Sequence, residues 1–114
     1  MMGLESFFEE VDTDAIKAKI RHRRAQMLVH SCIYYELNDN IVSDHKWQAW
    51  ADELEALQKA HPECMEIGFY DANFKDWDGS TGNHLPHRDA WVYKKALYLL
   101  HCRTYIWPGL TTKL

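Results

Sequence analysis

No stretch of this chain approaches the roughly 20 consecutive apolar residues of a membrane-spanning helix. Its opening, MMGLESFFEEVDTD, has neither a basic start nor an apolar run of the kind that directs export. A soluble protein that stays where it is made is the expectation. Cysteine is scarce: Cys32, Cys64 and Cys102 are an odd count with no CxxC spacing. A disulfide framework and a zinc site of ordinary spacing are therefore disfavoured, and a reducing cytoplasm fits. Positive charge is short as well, with 13 Lys and Arg against 17 Asp and Glu and a net charge of -4. Broad binding to a nucleic-acid polymer needs a basic face that releases counterions, and this balance argues against one. No repeat or low-complexity linker divides the 114 residues, which suffice for one core but not for the two-lobed architecture of most nucleotide-using enzymes.

Aromatic side chains, by contrast, are plentiful, at 13% of residues with five Trp and six Tyr. That is more than a small core needs, so some rings are expected to face a partner or a planar ligand. The sequence predicts an acidic, irregular segment over 1–11, a single domain over 12–107 and a tail over 108–114. Asp12 or Thr13 is placed to cap a first helix running to about Leu37, with Ile16, Ile20, Met27, Leu28, Ile33 and Tyr34 at helical spacing. NDN at 38–40 is turn chemistry. Ser43-Asp44 then starts a second helix whose Trp47, Trp50, Ala51, Leu54 and Leu57 form one stripe ending before His61-Pro62. MEIGFY reads as a short strand, and DANFKDWDGSTGNHLP as a long loop of the kind that often carries function. A third helix is expected from Asp89 to about Arg103, with Val92, Ala96, Leu99 and Leu100 inward and Pro108-Gly109 closing the ordered part. The expected fold is mainly α with a small β element (α+β), built on an antiparallel helical hairpin.

Tyr34-Tyr35, a turn, Asp44-His45-Lys46-Trp47-Gln48, then Asp52-Glu53-Leu54-Glu55-Ala56-Leu57 and His61-Pro62 resemble the Ia domain of NAD-dependent DNA ligases. That domain is the helical cap for the nicotinamide mononucleotide half of NAD. Tyr34, Tyr35 and Asp44 keep the family character, whereas Trp47 stands where the motif has Tyr and Gln48 where it has Asp. Lys75-Asp76-Trp77-Asp78-Gly79 lacks the spacing of the ligase KxDG motif, so ligation is not expected. Across RHRRAQMLVHSCIYYELNDNIVSDHKWQ and FKDWDGSTGNHLP the chain is also similar to the first type of phage Thoeris anti-defence proteins. Those are sponges that capture cyclic ADP-ribose signals, and the resemblance implies multimers built as trimers of dimers, with cyclic oligonucleotides as possible further ligands.

These readings nominate ligand-binding residues. Arg23, Arg24 and Met27 lie on or beside the basic turn of the first helix; a guanidinium in a packed seam needs an anion, which a phosphodiester supplies. A solvated charged face is the plain alternative. Phe74 and Trp77 are the expected base-stacking rings, unless they plug the loop onto the core. Asp78, Asn83 and His84 are candidates for ribose or base contacts, although Asp and Asn are ordinary turn formers. Arg88 and Arg103 are candidates for further phosphate contacts. Tyr34, Tyr35, Trp47 and Trp50 read most simply as the core of the hairpin. The pair His84-x-x-His87 is read as surface histidines, not as a metal site. Because Ser31, Cys32 and His30 are adjacent on one helix, no nucleophile–base pair emerges.

The expected function is non-catalytic sequestration of a cyclic ADP-ribose-type signal by a homodimer or hexamer in the cytoplasm of an infected bacterium, with no cofactor. The alternative is a helical adaptor that binds a host nucleic-acid enzyme through its aromatic, ligase-Ia-like surface.

Overall fold

The computed structural model describes residues 2–106, with side chains over 13–102. Helix α1 spans Met2–Tyr35, α2 Asp44–Ala60 and α3 Ala90–Ile106, with a single 3₁₀ turn at Pro62–Cys64. Helix α1 is the common wall. Among the described residues both α2 and α3 pack against it and not against each other, and the long segment 65–89 contributes Phe74, Trp77 and Leu85 to the shared core.

Each boundary has a local cause. Helix α1 starts at Met2, so residues 2–11 of the segment read as irregular are helical. It ends where Asn38 takes the left-handed φ of 53° and the Asp39 N–H returns to the Ile33 carbonyl at 3.0 Å, which gives one of the last carbonyls of the helix a partner. The Ser43 hydroxyl accepts from the Lys46 N–H at 3.0 Å and starts α2, and Asp44 sits in the favourable first turn. Helix α2 stops at Ala60, before Pro62. The proposed closure at Pro108-Gly109 lies outside the described residues.

Among the described residues there is no strand, and the expectation of an α+β fold is corrected to all-α. The segment Met65–Tyr70 is a chain of turns, with Gly68 at φ 71° and Tyr70 at φ 57°. Its backbone polar groups find side-chain partners where a strand would need a neighbour. Asp71 accepts from the N–H groups of Ile67 (3.3 Å), Gly68 (3.0 Å) and Phe69 (3.3 Å), while Arg24 donates to the carbonyls of Met65 (3.0 Å) and Phe69 (2.8 Å).

The core runs along α1 through Ile20, Met27, Leu28, Cys32 and Ile33, and takes in Ala51 and Leu54 of α2, Val92 and Ala96 of α3, and Phe74, Trp77 and Leu85 of the long segment. The inward stripes of α2 and α3 therefore match their sequence pattern, with Trp47, Trp50, Leu57, Leu99 and Leu100 at the core margin.

Candidate functional site

Where α1 turns into α2, the two helices diverge and leave a cleft of about 210 Å³. One wall is the last turns of α1, carrying His30, Ser31, Tyr34 and Tyr35. The opposite wall is the first turns of α2, carrying Asp44, Trp47 and Gln48. Ile41 and Val42 of the connecting turn close one end, and Ser80 and Thr81 of the long segment close another. Tyr34 and Tyr35, read from the sequence as hairpin core, are instead 55% and 41% exposed and line this cleft.

The wall at 79–82 is pinned from three sides. Gln48 Nε2 donates to the Gly79 carbonyl at 2.9 Å and to Asp52 Oδ1 at 2.9 Å. Tyr35 and Thr81 share a hydroxyl hydrogen bond of 2.9 Å. Gly82 lies so close to α1 that a Cβ there would meet Ser31 Oγ at 2.0 Å. Behind Tyr35 its ring stacks on His87 at 5.8 Å. His87 Nδ1 stands 3.0 Å from Glu36 Oε2, off the hydrogen-bonding direction, so this contact becomes an ion pair only when the ring is protonated.

Two polar atoms of the cleft are buried without a protein partner, His30 Nδ1 and Ser31 Oγ. Buried polar atoms in a folded protein nearly always have a partner, and Ser31 Oγ faces the close approach of Gly82. Burial pushes the His30 pKa down to about 4, and its ring leans on Trp50 at 5.3 Å. The imidazole is neutral at physiological pH and can accept or donate a hydrogen bond.

The residues nominated as ligand contacts are dispersed. Arg24 is fully buried, and its donors are spent on protein: Nε on Gln58 Oε1 (2.9 Å), Nη1 on Asp71 Oδ1 (2.7 Å) and the Phe69 carbonyl, Nη2 on the Met65 carbonyl. Burial lowers its pKa while Asp71 holds it up. The anion that a buried guanidinium requires is thus a carboxylate of the same chain, not a phosphate. Arg23 is held by Glu53 (2.8 Å) and Gln26 (2.6 Å), and Met27 is core. Phe74 and Trp77 are buried against each other, and Trp77 Nε1 donates to the Ala51 carbonyl at 3.0 Å, so the stacking reading gives way to packing.

Asp78 folds back on the Ser80 N–H and hydroxyl, at 2.9 and 2.7 Å. The backbone of Asn83 contacts Thr81 and His87, and His84 borders Trp77. Arg88 is paired with Glu36 at 2.9 Å. The side chain of Arg103 lies outside the described residues. None of these described side chains lines the cleft, and the arginines do not converge on one cavity. Sequence reasoning did not nominate His30 and Ser31 as cleft-lining residues; their signal was weak, a polar pair one turn before Tyr34-Tyr35 on a helix already rich in polar residues.

The comparisons with known proteins fall on the same walls. Residues 13–67 match the model of the DNA ligase-like, N-terminal NAD+-binding domain. A DNA ligase of Roseiflexus sp. (strain RS-1) is 34% identical over 55 residues, which is 48% of this chain and 8% of that protein. The chain therefore spans less than a tenth of the length of that curated relative. No solved structure matches. A segment that resembles the NAD+-binding Ia domain of DNA ligases thus supplies α2 and the described side chains of α1. The loop at 79–82 that closes the cleft lies beyond the matched segment.

Proposed function

We propose that this protein binds an NAD-derived nucleotide in the α1–α2 cleft and releases it unchanged. One observation carries the reading: Tyr34, Tyr35, Asp44, Trp47 and Gln48, the positions that correspond to the ligase Ia pattern, line a single cleft. Release without chemistry is part of the proposal, and one feature of the same walls supports it. His30 Nδ1 and Ser31 Oγ are adjacent in sequence yet make no bond to one another, so the serine has no base to activate it.

Sequestration is the finer form of this function, with a cyclic ADP-ribose-type signal as ligand, a self-associated protein and the cytoplasm of an infected bacterium as its setting. Similarity to phage anti-defence sponges supports it. The contacts first nominated for it do not, since Phe74 and Trp77 are core and Arg24 is buried and paired with Asp71. The test is to mix the purified protein with NAD, nicotinamide mononucleotide and cyclic ADP-ribose, titrate each by calorimetry, then heat the loaded protein and identify what is released by mass. Intact ligand supports a binder, a processed product an enzyme, and no retention of any of the three ends the reading.

A second reading has its own observation. Helix α3 exposes Trp91, Tyr93, Leu97 and Tyr98 although Val92 and Ala96 face the core, so it is apolar on more than its buried side. Such a surface suits an adaptor that docks on another protein, such as a nucleic-acid enzyme of the host.

A further inference from the structure

Charge is segregated between the helices. Helix α3 carries Lys94, Lys95 and Arg103 and not one Asp or Glu, in a chain whose net charge is -4. The ion pairs among the described residues use Lys19, Arg23, Arg24, Lys59 and Arg88 and leave Lys94 and Lys95 out. Around these two lysines the outer side of α3 is apolar: Trp91, Tyr93, Leu97 and Tyr98 are all exposed, Tyr98 by 58%. Lys95 Nζ stands 5.5 Å from the centre of the Tyr98 ring. Large apolar side chains with cations among them form a surface that an acidic amphipathic helix fits, apolar stripe on rings and carboxylates on ammonium groups.

The chain contains such a segment. Over residues 2–12, α1 has Glu5, Glu9, Glu10 and Asp12 and no Lys or Arg. In the same stretch Leu4, Phe7, Phe8 and Val11 recur at i, i+3, i+4 and i+7, the spacing of one apolar stripe. From Leu4 to Val11 that stripe is as long as the run from Trp91 to Tyr98, about 10 Å each at the rise of a helix. One copy does not bring the two together. Helix α1 is unbroken, and α3 already turns its other side, Val92 and Ala96, into the core it shares with α1. Two α3 faces do not suit each other either, since Lys94 and Lys95 would meet their own copies.

We propose that the outer face of α3 is covered by residues 2–12 of a second copy of this chain. The exchange is reciprocal: each copy of a two-fold dimer lays its acidic α1 start across the basic, aromatic α3 of the other. Reciprocity follows from area. One short helix lying on another falls below the about 1,200 Å² that stable interfaces bury, and a two-fold dimer makes the same contact twice. The acidic side chains of one copy then answer Lys94 and Lys95 of the other, and its phenylalanines answer the α3 rings. This gives the self-association in the reading above a defined surface, uses no residue of the cleft, and closes the α3 face to an adaptor's partner.

Sedimentation velocity of the full chain at tens of micromolar tests this, with a mass near twice 13.5 kDa as the expected result. The double reversals Glu9→Lys with Glu10→Lys, and Lys94→Glu with Lys95→Glu, should each raise the dimer Kd by at least about tenfold, because like charges then face one another. Mixed one to one, the two variants make one contact with the original signs and one with the signs exchanged, so the dimer should return. A monomeric wild type overturns the proposal, whether its α3 face is open or reserved for a different protein. So does a dimer indifferent to both reversals, or a pair of variants with wild-type melting curves that stay monomeric on mixing. Where a reversal lowers the melting curve, Leu97→Asn at its exposed position reads the same face, and a dimer weakened by less than about threefold overturns the assignment. Titrating NAD into the same samples separates the two readings. A monomeric wild type that binds nucleotide sinks the interface alone, and a dimer that binds none supports the interface and sinks the nucleotide reading.

Discussion

Arg24 and Asp71 meet at 2.7 Å, Nη1 to Oδ1, with the guanidinium wholly buried and the carboxylate still in reach of water. The pair organises more than itself. Around Arg24 stand Gln58 and two carbonyls, and around Asp71 three backbone N–H groups, so one ion pair holds the whole 65–71 turn series on α1. Replacing Arg24 by Met keeps the bulk but strands these acceptors. The expected loss is about 3 kcal/mol, the low end for breaking a buried pair because Asp71 keeps some hydration. Urea unfolding measures it, and a loss below about 0.5 kcal/mol would mean the turn series holds without its hub.

Gly82 is needed for closeness. A Cβ there would lie 2.0 Å from Ser31 Oγ, 3.0 Å from Ser31 Cβ and 3.4 Å from Trp47 Cζ2. Gly82→Ala must push the 79–82 wall off α1, at about 1–3 kcal/mol. In a Ser31→Ala background the nearest atom is gone and the cost should shrink, since contacting residues are not additive. Additive costs in the double mutant would place Gly82 away from Ser31.

The second helix was legible to the residue, because Ser43-Asp44 and His61-Pro62 are strong punctuation around a clear stripe. The missing strand was not. MEIGFY has the composition of a strand, and only the tertiary arrangement shows that Asp71 and Arg24 satisfy its backbone. The core rings Phe74 and Trp77 were misjudged for a related reason: a polar, Gly-containing segment hides which of its aromatics turn inward. Reading Arg24 as needing an anion was sound chemistry, but the anion came from 47 positions downstream. The cleft was half visible, since the residues that echo the ligase Ia pattern mark both walls. Its third wall depends on a loop that no periodicity places.

Acid should weaken the fold in two stages. His30 has its pKa lowered to about 4 by burial, against roughly 6.5 in an unfolded chain. The unfolded state therefore binds the extra proton between these values, and stability present above about pH 6.5 is lost as the pH falls toward 4. The loss is about 3 kcal/mol in full. Asp71 follows. Burial pulls its pKa up, but the bonds from Gly68, Arg24, Phe69 and Ile67 outweigh this and leave it below the ordinary value. Its contribution is present above its unfolded pKa and disappears as the pH falls through the lower folded one. Urea midpoints across pH 7 to 4 check the first stage, and His30→Gln should flatten it; an unchanged slope in that variant would assign the acid sensitivity to other groups.

Gln48 separates this chain from the ligase Ia pattern most directly, and Gln48→Asp puts the pattern's residue back. The shorter side chain has no donor for the Gly79 carbonyl or for Asp52 Oδ1, both now bonded at 2.9 Å. It also sets a carboxylate one helical turn before Asp52, a like-charge pair at i, i+4. Two partly exposed hydrogen bonds and that repulsion amount to about 1–2 kcal/mol. The damage should be local. The Tyr35–Thr81 bond and the Gly82–Ser31 approach would then hold the wall with one pin fewer, so amide exchange at 79–82 should accelerate about tenfold while the α1 core amides near Leu28 exchange as before. Should the exchange rates at 79–82 stay unchanged, the wall is held by the Gly82–Ser31 approach and not by Gln48. In that event the departure from the ligase pattern at this position has no structural role in closing the cleft.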